Sequence, residues 1–116
     1  MRNKSHKILA GVLLVAGILL LAGCPPRESI ERIKVDPGKF AGREVTIAGR
    51  VTNAYGVMGK GGFELDDGTG RMWVFTSRYG VPGMDAKVAV TGLIEESVTL
   101  GGRHWALIMR ETRRRG

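Results

Sequence analysis

The sequence predicts an all-β domain, a small closed barrel of five short antiparallel strands, and three observations carry that expectation. Apolar and polar residues alternate at a period of two in several short runs, clusters of Gly, Asp and Pro separate those runs, and no ten-residue helical stripe follows Gly23. Length narrows the choice further. Of 116 residues the first 23 read as a removable leader, and the 93 that remain suffice for one domain and no second. Five short strands of that size do not fill a two-layer sandwich, whereas closing the sheet on itself buries one face and removes the edges.

The leader begins with a basic stretch, Met1 to Lys7, and continues as an uncharged run of 16 residues from Ile8 to Gly23. As a helix that run measures about 24 Å, short for a bilayer core and close to the apolar region of a secretory signal. It ends in Leu21-Ala22-Gly23-Cys24, and Pro25-Pro26 then stop any helix or strand. The single cysteine allows no internal disulfide. This Leu-Ala-Gly-Cys run resembles the lipobox of bacterial lipoproteins. The resemblance implies a signal peptide over residues 1–23, lipid modification of Cys24 with palmitate-type chains, and a mature protein held in membrane lipid through Cys24. Two or three acyl chains, at ~0.8 kcal/mol per buried CH₂, anchor stably without a transmembrane helix. The remainder then works outside the cytoplasm, in the cell envelope. Pro25 is not the Asp that the family associates with inner-membrane retention, so the outer membrane is expected where a cell has one.

Residues 24–28 read as a lipidated linker and residues 29–110 as the domain. Ser29-Ile30-Glu31-Arg32-Ile33 fits either a short strand or one helical turn, and the turn-rich residues 36–42 fit a helical turn. Val45, Ile47, Gly49 and Val51 alternate with Thr46, Ala48, Arg50 and Thr52 as strand one. Phe63 and Leu65 form strand two, Asp66-Asp67-Gly68-Thr69-Gly70 supplies hairpin chemistry, and Met72, Val74 and Thr76 alternate along strand three. After a turn-rich stretch over residues 77–85, Val88, Val90, Gly92 and Ile94 give strand four, and residues 104–109 give strand five. Val45, Ile47, Val51, Phe63, Leu65, Met72, Val74, Val88, Val90 and Ile94 are the expected core. Gly49 and Gly92 fall mid-strand, where glycine marks a bend or bulge.

Three segments in this order, residues 42–51, 63–72 and 87–92, resemble the OB-fold, in particular small OB-fold proteins of the nucleic-acid-binding, tRNA-anticodon-like kind. The resemblance covers residues 30–109 and implies a five-stranded Greek-key barrel. It departs at one point: no amphipathic stretch supplies the helix that OB-folds often carry between strands three and four, which leaves closure of that end to other residues.

Eighteen basic and eleven acidic residues give the chain a formal charge of +7. Removing the leader takes away Arg2, Lys4 and Lys7 and leaves +4, of which the Arg-rich end after Met109 holds +3. The body is thus nearly neutral, and the basicity belongs to the two ends, with residues 111–116 read as a basic tail suited to anionic headgroups. Catalytic chemistry is sparse, and no enzyme, metal or cofactor is expected. Asp66-Asp67 reads as a turn former, Glu95-Glu96 as a solvated strand end, Gly59-Lys60-Gly61-Gly62 as a flexible loop and His104 as a surface residue. The haem chaperone of cytochrome c maturation, a similar barrel, holds haem through a histidine with a tyrosine a few residues on. Here His104 is followed by Trp105-Ala106-Leu107-Ile108, so haem is not carried over.

Binding remains. OB-folds use the face of strands two and three and the loops after strands one and four, where rings stack bases or sugars and cations hold phosphate. Arg71, Trp73 and Phe75 share the outer face of strand three, with Arg50 on strand one and Tyr55, Lys60 and Arg103 in or beside the two loops. Alternatively Trp73 and Phe75 pack beneath residues 77–85 as cover for the barrel. The expected function is a binding module for an oligonucleotide or another small anionic or sugar ligand; the alternative is an envelope protein–protein interaction or structural module.

Overall fold

Each alternating run becomes a strand with its apolar side inward, and three of the strands run well past the alternation. β1 spans Glu44–Val57, β2 Lys60–Asp66, β3 Arg71–Thr76, β4 Lys87–Leu100 and β5 Arg103–Arg115. In the computed structural model, which describes residues 25–57 and 60–115, the strands pair in the closed order β1-β2-β3-β5-β4. All neighbours are antiparallel except β3 and β5. Residues 1–23, expected to form a signal peptide, and Cys24 lie outside the described residues.

The ten expected core residues are all buried. Coiling five strands this tightly requires close backbone approaches, and Gly49 supplies one: a Cβ there would lie 2.5 Å from the Asp66 carbonyl oxygen. Gly92 does the same against the Arg110 carbonyl, beside an irregularity in the β4–β5 register.

Residues 29–40 settle as helix. α1 covers Ile30–Val35 and α2 covers Pro37–Phe40, and Ile30, Ile33 and Phe40 join the core. The first three amides of α1 are satisfied from outside the helix: Ile30 N–H donates to Asp67 Oδ2 (2.9 Å), Glu31 N–H to Thr69 Oγ1 (3.2 Å) and Arg32 N–H to the Ser29 hydroxyl (3.2 Å). The β2–β3 turn therefore holds the helix that covers part of the core.

Residues 26–28 lie against β1. Arg27 bridges Thr46 in parallel along the part of β1 that precedes its pairing with β2. The Thr46 amide donates to the Pro26 carbonyl and the Glu28 amide to the Thr46 carbonyl, both at 2.9 Å, because that stretch of β1 has backbone groups to spare. Residue 60 does not belong to a loop: Lys60-Gly61-Gly62 are the start of β2, paired with Val57, Gly56 and Tyr55, while Gly59 lies outside the described residues.

The Arg-rich end departs furthest from expectation. Residues 111–115 are the last part of β5, paired with Ala89, Val90, Thr91 and Gly92 of β4, and not a tail. Residues 77–86 cross from β3 to β4 without a helix, and the end of β5 closes that region. The Arg114 guanidinium grips the Glu111 carboxylate through two hydrogen bonds, at 2.8 and 2.6 Å. It also donates to the carbonyls of Tyr79 and Gly80 and lies over the Phe63 ring, 5.1 Å from its centroid. The Tyr79 hydroxyl returns a bond to the Thr112 carbonyl (2.9 Å). A bidentate pair with its remaining donors on backbone carbonyls is the geometry in which a buried charge is tolerated. The Glu111 side chain has no exposed surface.

Glu111→Ala should therefore cost about 3–5 kcal/mol, because it strands Arg114, whereas replacing both as Glu111→Leu with Arg114→Met should recover most of that loss. Urea denaturation of the two variants checks this; a loss below about 1 kcal/mol for Glu111→Ala would place the pair with ordinary surface ion pairs.

Candidate ligand-binding site

Period two along β3 turns Met72 and Val74 into the core and sets Trp73 and Phe75 on the outer face. The register then brings partners to them. Tyr55 of β1 lies opposite Gly62 of β2, and Gly62 lies opposite Phe75 of β3. Because Gly62 has no side chain, the two rings meet above it; a Cβ there would lie 3.2 Å from the Phe75 ring and 3.3 Å from that of Tyr55. The ring centroids of Tyr55 and Phe75 are 6.4 Å apart in an edge-to-face arrangement. Trp105 of β5 completes the group, 5.5 Å from Trp73 and 5.1 Å from Phe75, while Tyr55 and Trp73 are 5.9 Å apart. These are the spacings of attractive aromatic contacts.

Phe75 is buried by the rings of Tyr55 and Trp105, Trp73 and Trp105 are half-buried, and Tyr55 is 50% exposed. Between the tips of the β1–β2 and β4–β5 hairpins runs a cleft of about 420 Å³ lined by Tyr55, Lys60, Phe75, Ser77, Leu100 and Arg110 among others. Cations border it. The Arg103 guanidinium lies 4.4 Å from the Trp105 ring centroid, Arg110 is held by Glu95 at 2.7 Å, and Lys60 has no carboxylate within 4.0 Å among the described residues.

Of the residues singled out from sequence, Tyr55, Trp73 and Phe75 join in the aromatic group, Lys60 lines the cleft beside Tyr55 and Phe75, and Arg103 reaches the group through Trp105. Arg71 stands at the other end of β3, bonded to Asp66 (3.3 Å) with Glu64 at 4.0 Å. Arg50 is elsewhere: the register places it two strands from Arg71, opposite Asp66 and Lys87, and its guanidinium turns to Asp85 at 3.6 Å. Trp105 and Arg110 were missed, since the β4–β5 hairpin that carries Trp105 to the β3 face extends beyond the alternating core residues. The aromatic beside the Leu100-Gly101-Gly102 turn was the available signal.

Among the described residues no three His, Cys, Asp or Glu side chains converge so as to hold a metal ion, and no helix is long and apolar enough to cross a membrane.

The architecture has solved counterparts. The chain is similar to a crystal structure of asparaginyl-tRNA synthetase from Pyrococcus horikoshii complexed with asparaginyl-adenylate (TM-score 0.54, 18% identity, covering 66% of this chain and 19% of that one). It is also similar to a putative aspartyl-tRNA synthetase from Leishmania major (0.56, 15% identity, 77% and 19%) and to OBody AM3L09 bound to hen egg-white lysozyme (0.50, 15% identity, 66% and 82%). The fold is the OB-fold. The chain spans about a fifth of the length of the synthetases it matches. No protein-family model and no curated protein matches it.

The adjacent carboxylates of the β2–β3 turn are occupied with structure. Asp66 accepts from the Gly68 amide (2.8 Å) and from Arg71. Asp67 accepts from the amides of Thr69 (2.8 Å) and Gly70 (3.1 Å), from the Thr69 hydroxyl (2.6 Å) and from Ile30. Burial on its own raises the Asp67 pKa, but the Thr69 hydroxyl and these amides outweigh it and hold the carboxyl below its ordinary value. A depressed folded-state pKa contributes stability that is present above the ordinary carboxylate range, near 3.9, and is lost as pH falls through the folded value. Asp67→Asn should thus cost about 1–2 kcal/mol at neutral pH, with the gap to wild type narrowing below about pH 4. Thermal melts of both proteins between pH 7 and pH 3 give the comparison; a gap independent of pH would remove the carboxylate from this role.

Proposed function

We propose that this protein is a membrane-anchored extracytoplasmic lipoprotein of the cell envelope whose OB-fold domain is a non-catalytic binding module. Its ligand is a single-stranded oligonucleotide or another small anionic or sugar ligand, taken at the cleft over Tyr55 and Phe75 and on the adjoining rings of Trp73 and Trp105. The observation that carries the reading is the convergence of four rings from three strands, two of which, Tyr55 and Phe75, line a cleft with Lys60 and Arg110, while Arg103 lies over the adjoining Trp105. Rings offer stacking surface to a base or sugar, and the cations offer partners to phosphate or carboxylate. Support for the anchor is the resemblance of Leu21-Ala22-Gly23-Cys24 to a lipobox. Support for the binding module also comes from the fold's use by tRNA synthetases and by an OBody bound to lysozyme.

A second reading, docking of an envelope protein, is favoured by how closely the rings pack. Centroid distances of 5.1–6.4 Å leave Tyr55 as the most exposed ring, a surface that suits an apolar protein patch.

Both tryptophans of the chain belong to the cluster, so selectively excited tryptophan fluorescence reports on this face. A soluble form of residues 25–116 titrated with single-stranded oligonucleotide should bind, and Tyr55→Ala or Trp105→Ala should weaken it roughly 5-fold to 150-fold, the range set by ~1–3 kcal/mol of stacking per base. Binding that ignores those rings but collapses in salt and with Arg113→Gln and Arg115→Gln would be phosphate attraction to the end of β5. No binding by wild type would favour the protein-docking reading.

A further inference from the structure

The basic residues of the two chain ends, separated by some ninety positions in sequence, meet on one surface. Adjoining depressions of about 560 and 440 Å³ run along the seam where β1 pairs with β4, sharing Arg27, Ala89 and Arg115 in their walls. Arg50 and Lys87 line the first, Pro25, Arg113 and Arg114 the second. Several of these cations are engaged: Arg50 with Asp85 (3.6 Å), Arg113 with Glu44 (3.3 Å) and Arg114 with Glu111 (2.6 Å). The one carboxylate in the lining, Asp66, is bonded to Arg71. Arg27, Lys87 and Arg115 have no carboxylate within 4.0 Å among the described residues. All three are exposed.

Pro25, in the wall of this groove, directly follows Cys24, and Pro26 and Glu28 are hydrogen-bonded to Thr46 of β1 at 2.9 Å. A chain advances at most ~3.6 Å per residue, so a lipid on Cys24 would hold the β1–β4 seam within roughly 10 Å of the membrane surface, comparable to the ~8 Å screening length at physiological salt. Little slack remains for the barrel to turn away.

We propose that this groove docks on the anionic phospholipid headgroups of the membrane that carries the anchor, with Arg27, Lys87 and Arg115 as the contacting cations. The proposal rests on the lipoprotein reading above and adds an orientation to it. In the ring order β1-β2-β3-β5-β4, β3 lies two strands from both β1 and β4. Docking by the seam therefore turns the aromatic face of β3 away from the bilayer.

Every element of the barrel lies within residues 25–115, so a soluble form of residues 25–116 isolates the docking from the anchor. It should sediment with vesicles of phosphatidylcholine containing phosphatidylglycerol and not with phosphatidylcholine alone, and the binding should fall in high salt. The triple variant Arg27→Gln, Lys87→Gln and Arg115→Gln should bind about 100-fold more weakly, at ~1 kcal/mol per charge. A second triple variant, Lys34→Gln, Lys39→Gln and Arg78→Gln, removes the same charge from other exposed positions and should bind like wild type. Equal losses in both variants, or no preference for the anionic vesicles, would overturn the proposal. So would an oligonucleotide bound through Arg27, Lys87 and Arg115 without any vesicle preference. The mass of the mature protein from cells tests the anchor separately: an unmodified Cys24 would defeat the lipoprotein reading whatever the vesicles show.

Discussion

A five-stranded sheet of this size gains a closed core only if its last strand joins the sheet's two remaining free sides, and here β5 does so by pairing with β3 at residues 109–110 and with β4 along its length. Much depends on the end of that strand. Past Met109 the sequence turns strongly basic; Arg110, Arg113 and Arg115 keep their hydration at the surface, and Arg114 alone turns inward and loses it. Glu111 makes this possible: it neutralises Arg114 inside the opening, and the guanidinium's remaining donors fasten the carbonyls of Tyr79 and Gly80. One ion pair thus replaces a helix as the cover over this part of the core.

The same strand links the two surfaces on which function is proposed. Its beginning carries Arg103 and Trp105 onto the β3 face, and its end carries Arg113 and Arg115 to the β1–β4 seam. The N-terminal segment reaches that seam independently, through Arg27 on the edge of β1. The proposed anchor beside the seam and the proposed cleft at the far ends of β1 and β4 would give the domain a membrane side and a ligand side, with the binding face open to solvent.

The strands and their inward residues were legible because side-chain alternation is a local property: Ile47 or Val90 needs only its sequence neighbours to declare which way it faces. The helical segment was legible as a pair of options, and the choice between them needed Asp67 and Thr69, which are distant in sequence and satisfy the first amides of α1. Trp73, Phe75 and Tyr55 could be named from position and type. Trp105 could not be joined to them, nor Arg50 separated from them, because both depend on strand lengths and register that emerge only when the hairpins pair. The Arg-rich end misled for a simple reason: residues 110–115 have the composition of a solvated tail, and the pairing with β4 and the Glu111–Arg114 contact that hold them as strand join partners distant in sequence or visible only in the fold.

Native-state hydrogen exchange tests that central claim directly. If the end of β5 closes the barrel, the hydrogen-bonded amides of residues 110–114 should exchange with protection close to that of Val90, their partner region on β4, through the same global opening. Exchange of residues 110–114 at the rate of an unstructured peptide, with Val90 still protected, would show the barrel to be complete without them and would contradict the account.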